Sequence, residues 1–179
     1  MKVAQPNLAS GAADAIPRDY NFAADILKRN LDAGRAGKLA YIDQRRGWTY
    51  GDLAERVDRF GHVLRLLGIH REERVLLCLL DTIDWPTAFL GAIKAGAVPV
   101  PVNTLLTEDD YRFMLDDSRA RLLVVSEELY PKLAKAIAAS KELAHVIVSG
   151  AVSYTHLDVY KRQVHRAASW RVRRLRRMS

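Results

Sequence analysis

Cysteine is almost absent: Cys78 is the single one in 179 residues. One thiol excludes a disulfide framework, and without a second sulfur no cysteine-rich tetrahedral zinc set can be assembled. Set inside VLLCLL, Cys78 reads as a buried strand thiol rather than a nucleophile. A chain without disulfides suits a reducing cytoplasm. Long apolar runs are missing too. VLLCLL is the longest, far short of the roughly 20 residues a membrane-spanning helix needs. The opening MKVAQPNLASGAADAIPRDY lacks the apolar centre of a secretion signal. These absences predict a cytoplasmic protein with no membrane segment.

Phosphate-binding signatures are also missing. No GxGxxG follows a strand, no GxxxxGK[ST] occurs, and no Gly/Ser/Thr-rich loop offers its amides to a triphosphate. His62, His70, His145, His156 and His165 show neither HxxxH nor HExxH spacing, so they read as solvated or packed side chains rather than metal ligands.

Positive charge is plentiful but confined. The net charge is +7, yet residues 1–150 hold 20 Lys+Arg against 20 Asp+Glu, while residues 151–179 hold 8 against one, Asp158. The excess that would point to nucleic acid or an anionic surface therefore lies wholly in the last stretch.

Residues 1–20 have no periodicity and read as a flexible lead-in. From Asn21, NFAADILKRNLDAG predicts a short helix with Asn21 as N-cap, apolar Phe22, Ile26, Leu27 and Leu31, and a stop at Gly34. LAYIDQRRGWTY predicts two short strands around Arg45, Arg46 and Gly47. Thr49 and Asp52 have capping-box spacing, and Leu53, Val57, Phe60, Leu64 and Leu67 form the stripe of the helix that follows, ended by Gly68. RVLLCLLD, apolar without alternation, predicts a parallel strand covered on both faces. TIDWPTAFLGAIKAG predicts a helix with Asp84 as N-cap and Pro86 in the first turn. The prolines of AVPVPVN place it at a sheet margin or a strand end. Thr107 caps EDDYRFMLDD, and RLLVVS, ELYPKLAKAIAAS and HVIVS repeat the alternation. Strand, helix, strand, helix predicts an α/β fold with a partial, largely parallel sheet flanked by helices over residues 21–150.

In such a sheet ligands bind beyond the strand C-termini, and the loops after Leu80, Asn103 and Ser126 hold no catalytic cluster. Asp81 and Asp84 invite reading as an acid and base pair, but a loop carboxylate and an N-cap explain them. Glu108, Asp109 and Asp110 face the positive end of a helix dipole, which accounts for them without a cation. Trp48 and Trp85 stand singly and read as packing anchors. No catalytic, cofactor-binding or metal-binding residue is therefore assigned.

YNFAADILKRNL, WTYGDLAERVDRFGHVLRLLGI and the run from ERVLLCLLDTIDWPTAFLG through NTLLTEDDYRFMLDDSRARLLVVSEEL resemble the N-terminal part of benzoate-CoA ligases. These are aryl/acyl-CoA synthetases of the adenylate-forming, AMP-binding superfamily. WTYGDL, GAIKAGAVPVPVN and MLDDSRARLLV resemble the superfamily at large; NFAADIL and LLDTIDWPTAFLG resemble the benzoate branch. The resemblance covers about residues 20–150 and implies a longer parent, of which this chain is an opening portion. It implies that the parent activates an aromatic carboxylate with ATP and Mg2+ to an acyl-adenylate, then passes the acyl group to coenzyme A. The family's phosphate loop, adenylate motif, hinge aspartate and catalytic lysine have no counterparts here. An inactive fragment is expected, and its oligomeric state is left open.

Two other readings use different residues. Arg171, Arg173, Arg174, Arg176 and Arg177 form a basic cluster that nucleic acid would suit; residues 1–150 alone would suit a stand-alone α/β interaction or scaffold module. Against the first, SYTHLDVYKRQ resembles an adapter-derived peptide, and VHRAASWRVRRLRRMS has the bias of GC-rich DNA translated out of frame. Residues 151–179 are thus expected to be a non-native, disordered tail with no nucleic-acid role.

Overall fold

The computed structural model describes residues 16–17, 19–150 and 170–174, the last of these as backbone. Five helices and seven strands follow in the order α1 Phe22–Asp32, β1 Leu39–Ile42, β2 Gly47–Thr49, α2 Tyr50–Leu66, β3 Arg74–Cys78, α3 Asp84–Ala95, β4 Val98–Pro101, α4 Glu108–Ser118, β5 Leu122–Ser126, α5 Tyr130–Ala139, β6 His145–Ser149 and β7 Trp170–Arg174. β1 and β2 form an antiparallel hairpin; the main sheet has the order β4-β3-β5-β6-β7. Its first four strands are parallel and β7 joins β6 antiparallel. The expected α/β architecture is thus present.

Alternation along the strands divides the core in two. Leu76, Cys78, Leu123, Val125, Val146 and Val148 face Tyr111 and Leu115 of α4 and Leu133, Ala136 and Ile137 of α5. Val75, Leu77, Leu122, Val124 and Ile147 face Phe60 and Leu64 of α2 and Ala88 and Ala92 of α3. All five residues of β5 are buried, as a strand covered on both faces requires. A third cluster, under the hairpin, joins Leu27, Trp48, Leu53, Ala54, Val57 and Ile83.

Helix starts follow local chemistry. Asn21 accepts from the Ala24 amide, and Thr49/Asp52 and Thr107/Asp110 close complete capping boxes. Gly34, Gly68 and Gly96 take the positive φ that follows the helices they end. Pro99 and Pro101 sit in β4 at the sheet margin, as expected.

Two expectations change. In α1 only Ala23 and Leu27 are buried, while Phe22, Ile26 and Leu31 are exposed. The helix presents a narrow face to α2 and α3, so most of its apolar spacing lies outside the contact. Asp84 does not cap α3: the N-cap position is Ile83, with no side-chain capping bond. The Asp84 side chain is instead turned inward and fully buried. The tail expectation falls mostly outside the described residues, of which 170–174 form β7.

Candidate functional site

Three serines and threonines and a buried carboxylate collect at the C-terminal ends of β3, β5 and β6, where a parallel sheet offers its ligand crevice. β3 is followed by α3 toward β4 on one side, while β5 lies on the other, so the switch in strand order falls between β3 and β5. Across it, the Ser126 hydroxyl at the end of β5 accepts from the Leu80 amide at 2.9 Å. Asp81 stands exposed in the loop, without Asp84 as a proton-sharing partner, because the two point to different environments.

Asp84 is the centre of the arrangement. One carboxylate oxygen takes Arg45 at 3.0 Å and the Ser149 hydroxyl at 2.6 Å; the other is bound by Arg56. Arg45 comes from the hairpin turn, Arg56 from α2 and Ser149 from the end of β6. Arg56 also donates to the Thr87 hydroxyl, which itself donates to the Ile83 carbonyl at 2.7 Å. A reciprocal contact runs the other way: Asp43 of the hairpin accepts the Ile83 amide at 3.0 Å. Asp43 also accepts from Trp48 Nε1 and from the Arg45 and Arg46 amides. Burial alone would raise the Asp43 carboxyl, but these four donors outweigh it and hold the group down at about 2. Trp48 lies beneath the Arg46 guanidinium, 3.8 Å from the ring centroid, which fits its reading as an anchor.

With both oxygens occupied and no exposed surface, Asp84 has no route to a substrate proton. It joins four elements: the hairpin turn, α2, α3 and β6. Several amides in the neighbouring loops are paired internally. The Thr82 amide goes to Leu80, Leu105 to the Asn103 side chain, Glu127 to Ser149 and Leu129 to Ser126. Those four amides are therefore already engaged within the protein. Among the described residues no group of three or more His, Cys, Asp or Glu is placed to hold a metal ion.

The remaining sequence candidates scatter. Asp110 completes its capping box, Glu108 pairs with Lys135 at 3.4 Å, and Asp109 lies 3.9 Å from Arg112. His62 contacts Arg65 on the surface, His70 lies in a loop, and His145 opens β6; His156 and His165 lie outside the described residues. Cys78 is buried, and burial pushes its thiol up, away from a reactive thiolate. Its neighbour Tyr111 donates to the Asn103 carbonyl at 2.9 Å and is raised to about 12, burial being the leading cause. Trp85 stacks on Phe89 with centroids 5.1 Å apart. No helix among the described residues is long and apolar enough to cross a membrane.

The family model of the AMP-binding enzymes matches residues 28–173. The chain belongs to the AMP-binding enzyme family. Among curated proteins, the chain is 54% identical over 136 residues to a benzoate-CoA ligase of Thauera aromatica, covering 75% of the chain and 26% of that protein. It is 47% identical to a 4-hydroxybenzoate-CoA/benzoate-CoA ligase of Rhodopseudomonas palustris, covering 74% and 25%. Among solved structures, a benzoate CoA ligase from Burkholderia xenovorans superposes with a TM-score of 0.67 at 45% identity, covering 74% of this chain and 26% of that one. An anthranilate CoA ligase in complex with anthranoyl-AMP gives a TM-score of 0.71 at 37% identity, covering 75% and 26%. The chain thus spans about a quarter of the length of these relatives.

Proposed function

We propose that this chain is a section of an ATP-dependent aryl-CoA ligase whose acid substrate is benzoate-like. The observation that carries the reading is the fall in identity with substrate. It is 54% and 47% to two ligases named for benzoate, 36% to one named for 3-hydroxybenzoate, and 27% to an N-(5-amino-5-carboxypentanoyl)-L-cysteinyl-D-valine synthase. The whole enzyme uses ATP and Mg2+ to turn a poor electrophile, a carboxylate, into an acyl-adenylate, and coenzyme A accepts the acyl group. In this reading the section contributes scaffold to that enzyme, supported by the Asp84 network that ties the hairpin turn, α2, α3 and β6 together. A cytoplasmic setting goes with this reading, supported by the lone, buried thiol of Cys78.

A chimera tests it. Residues 20–150 replace the matching stretch of the Thauera ligase, and benzoate-dependent formation of the CoA thioester is measured. Activity within about tenfold of the parent, equivalent to ~1.4 kcal/mol of barrier, is expected. A soluble, cooperatively melting chimera that makes no benzoyl thioester would overturn the reading. The full 179-residue chain alone is expected to show no benzoate-dependent ATP/pyrophosphate exchange.

A further inference from the structure

We propose that the outer edge of β6 is a strand-docking surface, filled here by β7, and that a second copy of this chain can fill it with its own β7. The two margins of the main sheet are closed differently. β4 carries Pro99 and Pro101, which lack the N–H that a further strand would need. β6 carries no proline. Its residues Val146, Ile147, Val148 and Ser149 are buried, and all five of its positions pair on the inner side with β5. Left bare, such a strand is an open template for pairing.

β7 covers it along its whole length, from His145↔Arg174 to Ser149↔Trp170. Among the described residues β7 pairs with no other strand. Ser149 and Trp170 are direct partners, so a turn of about two residues would connect them, yet the whole of 150–169 intervenes. Closure entropy grows with loop length, so the chain's own β7 competes at a lower effective concentration than a tight hairpin strand would. Tethered segments compete at roughly millimolar effective concentration, a level that a second copy can approach in a concentrated solution. The exchanged pairing repeats the same β6–β7 ladder, so it requires no new interface chemistry.

The test uses the full chain with Val148→Cys and Arg171→Cys, a directly opposed pair, refolded from about 10 µM to about 1 mM and then oxidised. Cys78 shares a row with Val148 but lies two strands away across Val125, about 9–10 Å, beyond disulfide reach in the fold. The expected result is a disulfide-linked dimer whose share rises at least several-fold across that range, with light scattering reporting the same mass. Ile147→Cys with Val172→Cys repeats the test at the other ladder phase, in case the first pair folds poorly. Crosslinking only within monomers at every concentration would overturn the exchange. A dimer that crosslinks only within each chain would overturn it as well, assigning association to another face. Absence of a crosslink at both pairs would remove β7 from the β6 edge altogether.

Discussion

Asp84 shows how one side chain can be misread from its neighbours. An aspartate two residues before a proline, at the start of a helical pattern, has the local signature of an N-cap. What turns it inward is non-local: Arg56 lies 28 residues earlier, Arg45 39 earlier and Ser149 65 later. No local pattern carries that information, although the paired arginines at the hairpin tip were visible. Thr49 and Thr107, whose partners lie three residues away, were legible for the opposite reason. Removing the carboxylate with Asp84→Ala leaves the guanidinium of Arg56, largely buried, without its counter-charge. Breaking such a buried pair costs about 3–5 kcal/mol, to be read as a shift in the urea midpoint at unchanged slope. Arg45→Ala should cost less, because a third of that side chain is already exposed. Asp43 adds a pH dependence. Its carboxyl is held at about 2 in the fold against an ordinary 3.8. The stability it contributes is present above the ordinary value and is lost as pH falls through the folded one. Melting temperature should therefore fall from about pH 4 to about pH 2 more steeply in the parent than in Asp43→Asn.

At the scale of elements, α2 and α3 pack in close contact at Gly91. A β-carbon on Gly91 would stand 2.7 Å from the Phe60 ring, 3.1 Å from its Cβ and 3.2 Å from the Val57 carbonyl. Gly91→Ala should therefore destabilise by about 1–3 kcal/mol despite the better helix propensity of alanine. Thermal unfolding checks this, with Gly34→Ala as a contrast: that site has open space and a φ of +70°, so any cost there comes from backbone conformation. Both strand types were readable because they bury differently. β3 and β5 are apolar on both faces, whereas the prolines of β4 mark a margin. The faces of α1 were less readable: apolar residues at helical spacing recur all round it, and only packing selects Ala23 and Leu27. The switch site was legible as a place, since strand order follows from the alternation of elements, but its long-range hydrogen bonds join residues 28 to 65 positions apart.

For the whole molecule, charge and covalent continuity point in different directions. Residues 1–150 are electrically neutral and contain both core layers, while the net +7 lies beyond them. Ending the chain at Gly150 would leave the core but bare the β6 edge. Such a product is expected to sediment on concentration, measured by the soluble fraction after centrifugation. A monomeric, cooperatively melting 1–150 would instead favour the stand-alone module. The amide of Asn21 matters on a different axis, that of time. It accepts from Ala24 to begin α1 and donates to the Ile93 carbonyl at the end of α3, 72 residues later. On a ribosome adding about 5–20 residues per second, α1 emerges seconds before the carbonyl that fastens it. α1 therefore waits for its fastening until the end of α3 has been made.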